Sequence, residues 1–150
     1  MKVDYLTIPE ITVSYKDNVK TSERAVVKST ADAAKILSVA LEGCMEHHEE
    51  VYVIFLNKAC RVLGISCVAK GGISNAYVDI RIILQTALKV SCFSIMLCHN
   101  HPSGSVNPSR EDISLTKSIQ KGCDAVGIYL LDHVIMTNET YMSFADEGLL

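Results

Sequence analysis

The sequence predicts a three-layer α/β domain in which helices cover both faces of a mixed β-sheet. Three observations lead to this fold class. Apolar runs of strand length alternate with stretches whose apolar residues recur at helical spacing. Two neighbouring runs are joined by a short turn, which is typical of a hairpin. With 150 residues, 49% of them hydrophobic, the chain is long enough to bury one core.

The helices are predicted from apolar residues that repeat on one face. A first helix is expected after Ser29, a second after Asp79 and a third after Ser109, since each of these residues is typical of an N-cap. The apolar positions that define the three helical faces are Ala33, Ile36, Leu37, Ala40 and Leu41, then Ile80, Ile83, Leu84, Ala87 and Leu88, and finally Leu115, Ile119, Gly122 and Cys123.

Four strands are predicted from the remaining apolar runs, namely VYVIFL (51–56), RVLGISCVAK (61–70), CFSIMLC (92–98) and VGIYLLDHVIM (126–136). The turn NKAC joins the first two, and GGISN (71–75) is expected to be a loop. Residues 1–28 show no clear period and are predicted to be an N-terminal arm, in which ITVSYK (11–16) is a candidate strand. Residues 29–150 are then the single folded domain.

Composition excludes several classes of function. The net charge of −3 argues against autonomous binding to nucleic acid, which usually needs a basic surface. The six cysteines form no C-x-x-C pair, so we expect reduced thiols and no disulfides. No apolar run approaches the ~20 residues of a membrane span, and the first residues do not resemble a signal peptide. A cytoplasmic protein without membrane contact is expected.

The stretch HNHPSGSVNPSRED carries a candidate metal site. His99 and His101 end a predicted strand, and residues two apart in a strand point to the same side. Pro102 and Gly104 favour a turn after them. Asp112 follows in the first turn of the next helix. Two imidazoles, one carboxylate and an open position for water are the arrangement of a catalytic zinc.

Two simpler interpretations stay open: a plain helix cap for Ser109 and Asp112, and a solvated loop for the EHHEE run. Ser109 and Asp112 have the spacing of a capping box, in which the aspartate merely caps a helix. A hydrolytic zinc site also needs a base, and Glu49 and Glu50 precede the VYVIFL strand. The run EHHEE that contains them also fits a solvated loop.

Taken together, HNHPSG, PSREDI, LDHVIM and YMSFADEG resemble the RadC-like family of JAB/MPN-type domains. The JAMM motif of the broader metalloprotease group is an upstream glutamate, then H-x-H, seven residues and S-x-x-D. His99 to Asp112 match that spacing throughout, and the resemblance extends from about Glu49 to the C-terminus. It implies a cytidine-deaminase-like architecture. It also implies a short form of the family, because the helix-hairpin-helix segment of longer RadC proteins is not recognisable in residues 1–48.

The resemblance implies a role for each matching residue. His99, His101 and Asp112 would hold Zn²⁺, and Ser109 would stabilise the tetrahedral oxyanion. Family members carry the glutamate base eight residues before the Asn or Asp that ends the first strand. Counting back from Asn57 selects Glu49 over Glu50, although a shift of one residue reverses the face of the sheet.

Two further residues lie near the motif. Cys98 replaces the usual alanine before the first histidine, and strand alternation directs it away from His99, which favours core packing over metal binding. His133, in the LDH sequence, is expected to be a buried histidine that is bonded to a neighbour.

The leading hypothesis is a zinc metallopeptidase-like hydrolase that cleaves an amide or isopeptide bond in an unknown peptide or protein substrate. Three alternatives remain: a DNA-repair or mobile-element accessory with a DNA or DNA-repair partner, a metal-dependent nuclease, and a metal-free interaction domain. A zinc nucleoside deaminase is set aside because that chemistry uses H-x-E with P-C-x-x-C. The sequence does not specify an oligomeric state.

Overall fold

A computed structural model of the protein describes residue 9, residues 11–72 and residues 76–150. The strands of its sheet are β1 (Glu50–Leu56), β2 (Val62–Lys70), β3 (Ser94–Asn100), β4 (Tyr129–Met136) and β5 (Tyr141–Ser143). Their order across the sheet is β2-β1-β3-β4-β5. Strands β3 and β4 pair in parallel, whereas the other neighbours pair antiparallel. The sheet is therefore mixed, as the sequence predicts.

The helices lie on both faces of this sheet. The α-helices are α1 (Thr30–Ala40), α2 (Ile80–Lys89) and α3 (Arg110–Ala125), and Thr21–Glu23 in the N-terminal arm form a short 3-10 helix. Leu37 of α1 belongs to the core on one face, and Ile83 of α2 and Ile119 of α3 belong to the core on the other. All three side chains are fully buried. The predicted three-layer α/β fold class is confirmed, because the alternating strand residues supply an apolar surface to both faces.

Each helix begins at the cap that the sequence predicts. The side chains of Ser29, Asp79 and Ser109 accept hydrogen bonds from backbone N–H groups of their helices. Gly122 brings α3 close to α2, since a Cβ atom at that position would lie 3.0 Å from Leu84 Cδ1. This close contact helps to fix the position of α3, whose first turn lies beside the carboxyl end of β3.

The structure corrects two predictions about strands. ITVSYK (11–16) forms no strand, since Ile11 and Val13 are 88% and 73% exposed and no neighbouring strand pairs with them. An alternating pattern forms a stable strand only where a second strand pairs with it, and residues 11–16 have no such neighbour in the described part of the chain. Strand β5 was not predicted, because three residues are too few to show a period. The part of the predicted GGISN loop at 73–75 lies outside the described residues.

The described part of the N-terminal arm touches the β1–β2 hairpin. Val26 forms an isolated bridge with Arg61, and the Tyr15 hydroxyl donates to the Leu63 carbonyl. Asp17 and Arg24 form an ion pair within the arm. Among the helices of the described residues, none combines the length and the apolar character that crossing a membrane requires.

Candidate metal centre

The two histidines of the H-x-H motif lie at the carboxyl end of β3. His99 is 4% exposed and pairs with Val51 of the neighbouring strand, and His101 follows directly after β3. Their side chains share one face of the sheet, the face that α2 and α3 cover. The Nε2 atoms of the two rings are 2.8 Å apart.

A tight turn follows the histidines. The N–H of Gly104 donates to the His101 carbonyl over 3.1 Å, and Gly104 has a φ of +81°, a conformation that glycine adopts readily. The chain then returns so that the Ser105 carbonyl lies 2.7 Å from His101 Nδ1. This turn positions the start of α3 beside the histidines.

Asp112 performs both functions that its sequence spacing suggests. Its N–H donates to Ser109 Oγ over 3.0 Å, and its Oδ2 accepts from the Ser109 N–H over 2.8 Å, which completes a capping box. The same carboxylate lies 3.2 Å from His99 Nε2 and 3.4 Å from His101 Nε2. The helix cap therefore fixes the carboxylate at the point where the two imidazoles meet.

The hydrogen-bond network assigns the tautomer of each histidine. The Thr116 hydroxyl donates its one proton to the Asp112 carbonyl over 2.7 Å, so it must accept from His133 Nδ1 at 2.6 Å. His133 Nε2 is then unprotonated and accepts from His99 Nδ1 over 2.8 Å. His99 is left with a lone pair on Nε2. The carbonyl of Ser105 likewise requires the proton of His101 on Nδ1.

Two imidazole lone pairs and a carboxylate therefore converge on one point. Lone pairs 2.8 Å apart repel each other, and a proton or a metal ion between them removes the repulsion. His99, His101 and Asp112 are one of the groups in the described residues whose ligand atoms lie within 4.8 Å of one another and could hold a metal ion. Their donor set, two imidazole nitrogens and a carboxylate oxygen, fits Zn²⁺.

The charges at this site are mutually supportive. In the metal-free protein a proton on Nε2 can take the place of the metal and be donated to Asp112. Burial raises the pKa of Asp112, but these hydrogen bonds from His101 and His99 outweigh burial and hold the pKa well below its ordinary value. The hydrogen bond with Asp112 is the main cause that raises the pKa of His101. Burial holds the pKa of His133 well below its ordinary value, so this ring is neutral.

Glu49 lies in the cleft that opens onto these residues. The cleft has a volume of about 520 Å³ and is also lined by His101, Ser109 and Asp112. Burial raises the pKa of the Glu49 carboxyl, while the neighbouring His99 and His101 lower it, and the net shift is upward. A carboxyl with a raised pKa beside a cleft is suited to accept and release protons.

Glu50 points to the opposite face of the sheet. Its carboxylate is bonded to His48 Nε2 at 2.8 Å and accepts from the Tyr52 hydroxyl over 2.9 Å. The structure thus separates the two glutamates by strand alternation, and of this pair only Glu49 lines the cleft of His101 and Asp112, which Glu111 also lines. The interpretation of EHHEE as a solvated loop is wrong for Glu50, which is 5% exposed and begins β1.

Ser109 lies on the rim of the same cleft and is exposed. Its oxygen accepts from the Asp112 N–H, which leaves the hydroxyl proton free to donate to a molecule in the cleft. Cys98, by contrast, is fully buried in the core on the α1 face, as strand alternation predicts.

Sequence reasoning missed Thr116 and the place of His133 behind His99. Thr116 and His133 are 2% and 0% exposed and connect Asp112 to His99. Thr116 lies one helical turn after Asp112, on the same face, and this spacing is a signal that could have identified it. His133 was predicted only as a buried, bonded histidine. Its position beside His99 follows from the parallel pairing of β3 and β4, which the sequence does not specify.

Comparison with known proteins gives a consistent result. The family model of the RadC-like JAB domain matches residues 27–149. The chain is 41% identical over 102 residues to a UPF0758 protein of Flavobacterium johnsoniae, which covers 68% of this chain and 44% of that protein. It is 42% identical over 103 residues to a UPF0758 protein of Porphyromonas gingivalis, with 68% and 45% covered.

A longer match extends further along the chain. A UPF0758 protein of Clostridium acetobutylicum is 37% identical over 131 residues, which is 87% of this chain and 56% of that protein. The chain thus spans about half the length of the curated relatives that it matches.

Proposed function

The chain belongs to the RadC-like JAB domain family, and we propose that it is a zinc-dependent hydrolase of the JAMM type. The proposed reaction is hydrolysis of an amide or isopeptide bond in a peptide or protein. One observation carries the proposal: His99 Nε2, His101 Nε2 and the Asp112 carboxylate converge within 3.4 Å with lone pairs directed at one point. This point lies at the side of a cleft that Glu49 also lines.

In this proposal His99, His101 and Asp112 hold the metal. Zn²⁺ in such a site supplies an activated water and polarises the substrate carbonyl. Three protein ligands leave one coordination position open, which is the pattern of catalytic rather than structural zinc sites.

Glu49 is the proposed general base and acid. It takes a proton from the attacking water as the new C–O bond forms, and it passes this proton to the amine nitrogen as the C–N bond breaks. The pKa of Glu49 is raised, chiefly by burial, which brings its proton affinity closer to that required for both transfers. Its place in the cleft beside His101 and Ser109 supports this role.

Ser109 is proposed to stabilise the charge that develops on the carbonyl oxygen. Its hydroxyl oxygen is held by the Asp112 N–H, so its orientation is restricted while its proton stays available. A donor that is positioned before the reaction stabilises an oxyanion more effectively than one that must be reorganised.

The test compares Glu49→Gln with Glu147→Gln, a change of the same chemistry at an exposed position near the C-terminus. Zinc-loaded protein is incubated with a fluorescence-quenched peptide library, with peptides joined through a lysine isopeptide bond, and with labelled duplex and single-stranded DNA. We expect cleavage in a peptide arm by the wild-type protein and the Glu147 variant. The Glu49 variant is expected to keep its zinc and to cleave the peptide at least ~100-fold more slowly.

The DNA arm distinguishes the alternative that the metal serves a nuclease. Cleavage of DNA without cleavage of any peptide would replace the amide hydrolase by a metal-dependent nuclease. Full activity of Glu49→Gln with zinc bound would contradict the assignment of the base. A His101→Ala control is expected to lose the zinc of this site, as measured by elemental analysis.

A further inference from the structure

A second group of metal-ligating side chains lies on the opposite face of the sheet. Cys44, His48 and Glu50 each place one ligand atom within 4.8 Å of the other two. Cys44 and Glu50 are 6% and 5% exposed, and His48 is half-buried. None of the three lines the cleft that contains Glu49 and His101. The group is therefore separate from the site of the proposed hydrolysis.

The chemistry of this group favours a transition metal. A thiolate, an imidazole nitrogen and a carboxylate oxygen are ligands that Zn²⁺ accepts together, whereas Mg²⁺ and Ca²⁺ prefer oxygen ligands alone. Cys67 adds a second thiol nearby, with its Sγ 3.7 Å from Glu50 Oε2. In the described residues, two sulfur donors thus lie near one buried carboxylate.

The backbone of all three residues is held by one side chain. Asn100, which is fully buried, donates through Nδ2 to the carbonyls of Cys44 and His48 at 3.2 and 2.8 Å. Its Oδ1 accepts from the Glu50 N–H at 2.8 Å. The segment after α1 and the start of β1 are therefore fixed relative to each other before any ligand binds. Such preorganisation lowers the entropic cost of binding a metal.

The imidazole of His48 has a suitable outer partner. His48 Nδ1 lies 2.8 Å from His47 Nδ1, and His48 Nε2 lies 2.8 Å from Glu50 Oε1. Without a metal, the short contact with Glu50 holds a proton on Nε2. A metal ion would replace that proton, and the remaining ring proton on Nδ1 would then be donated to His47. A ligating histidine commonly donates its other ring N–H to a neighbouring acceptor in this way.

Lys70 is the competing cation at this cluster. Its ammonium lies 3.2 Å from Glu50 Oε1, but its side chain is 66% exposed. A side chain so exposed can move into water without burying its charge. Glu50 Oε1 then keeps only His48 as a partner, while Oε2 still accepts from Tyr52. A structure in which Lys70 remains the permanent charge partner of Glu50 is the alternative that the experiment must exclude.

From these contacts we propose that Cys44, His48 and Glu50 bind a Zn²⁺ ion of their own, independent of His99, His101 and Asp112. This ion joins the segment after α1 to the first residue of β1. Glu49 lies between two of the ligands in sequence while its side chain lines the cleft on the opposite face. Because metal binding and folding are coupled, the ion is expected to stabilise this part of the fold.

The test uses cobalt in the full-length chain after all metal has been removed with a chelator. Co²⁺ bound by a thiolate absorbs in the near ultraviolet through ligand-to-metal charge transfer. The His99, His101 and Asp112 group contains no sulfur, so this band reports the second site alone. We expect two Co²⁺ per wild-type chain and a thiolate band that saturates with one of them.

Three variants make the assignment specific. Cys44→Ser is expected to abolish the band, and Cys60→Ser is the matched control, since Cys60 lies in the turn at the other end of the β1–β2 hairpin. His48→Ala leaves the thiol in place and is expected to lower the affinity for the Co²⁺ ion that gives the band by roughly tenfold or more. His101→Ala is expected to keep the band, which separates this proposal from that of the hydrolytic site.

The results that overturn the proposal are equally defined. Absence of a thiolate band in the wild-type protein at saturating Co²⁺ overturns the proposal and leaves the ion pair of Lys70 with Glu50 as the role of this carboxylate. A band that survives in Cys44→Ser or in His48→Ala with unchanged affinity excludes these residues as ligands. If Cys44→Ser does not give the circular dichroism of the folded protein, the His48 variant alone decides the outcome.

Discussion

The imidazole of His133 lies directly behind that of His99, with His133 Nε2 2.8 Å from His99 Nδ1. Its other nitrogen is bonded to the hydroxyl of Thr116, which in turn donates to the Asp112 carbonyl. His99 and Asp112, two of the three proposed metal ligands, are thus connected through the buried side chains of His133 and Thr116. This arrangement sets the position of the His99 proton and leaves Nε2 free to bind a metal.

Replacing Thr116 by valine should therefore weaken metal binding without touching a ligand. Without the hydroxyl acceptor, His133 can carry its proton on Nε2, where it opposes the Nδ1 proton of His99. We expect metal affinity to fall by about 10- to 100-fold, measured by competition with a chromophoric chelator.

Thr86→Val is the matched control for this change. Thr86 also lies in a helix and donates to the carbonyl four residues earlier, over 2.8 Å, but it is half-buried and does not line the cleft of His101 and Asp112. Equal metal affinities of the two valine variants would show that the Thr116 hydroxyl does not orient His133.

Asp132 should be a major determinant of stability. Its carboxylate is 2% exposed and accepts from the hydroxyls of Thr30 and Ser143 and from the N–H groups of His133 and Ala145. It therefore joins the start of α1, the end of the chain and β4. Asp132→Ala leaves two buried and two partly buried donors without an acceptor, and we expect a loss of about 3 kcal/mol in the free energy of unfolding.

Urea denaturation measures this loss from the shift of the midpoint. Asp146→Ala is the control, since Asp146 is exposed in the same C-terminal segment. A midpoint of Asp132→Ala that coincides with that of the control would mean that the network contributes nothing to stability.

Asp79 should give the start of α2 a stability that depends on pH. Its carboxylate accepts from the Arg81 guanidinium over 2.7 and 3.0 Å and from the Arg81 N–H. Hydrogen bonds from the Arg81 side chain hold the pKa of Asp79 below its ordinary value of 3.8. Because the folded pKa is depressed, this contribution is fully present above pH 3.8 and is lost as the pH falls through the folded value.

Asp79→Ala is therefore expected to be less stable than the wild-type protein at pH 7, with a difference that shrinks below pH 3.8. Thermal unfolding followed by circular dichroism across this range measures the effect. Asp79→Asn should keep most of the helix cap and lose the pH dependence. A difference between Asp79→Ala and wild type that stays constant with pH would exclude the ion pair as its source.

The cysteines should differ in reactivity by position. All six are free thiols, and burial raises the pKa of Cys92 and Cys123 to about 11. At pH 8 only a very small fraction of these two thiols is ionised, and the core shields them from reagents. We expect iodoacetamide to modify the half-buried Cys60 well before either of them.

Peptide mapping by mass spectrometry identifies the order of labelling. In urea all six cysteines should react at similar rates, which controls for the intrinsic reactivity of each sequence. Early modification of Cys92 or Cys123 in the native protein would show that the core opens around them.

Much of the fold is encoded in short segments. The spacing of apolar residues predicted α1, α2 and α3, and Ser29, Asp79 and Ser109 were each predicted as the start of a helix. The four longer strands were also predicted, because their apolar runs are long enough to be recognised as strands. The three-residue β5 and the unpaired segment at 11–16 were misjudged, since a strand is defined by its partner and not by its own residues.

By itself the sequence determined the fold class and the spacing that brings His99, His101 and Asp112 within reach of one another, because a strand end, a Pro/Gly turn and a helix cap are local features. Only the tertiary structure decided which of Glu49 and Glu50 lines the cleft, since this depends on the register of β1 against β3. It also placed His133 behind His99 and gathered Cys44 and Glu50 on the other face. His99 and His133 are far apart in the chain, and Cys44 and Glu50 are both held by the distant Asn100. Side-chain direction across a sheet follows from pairing that no local pattern records.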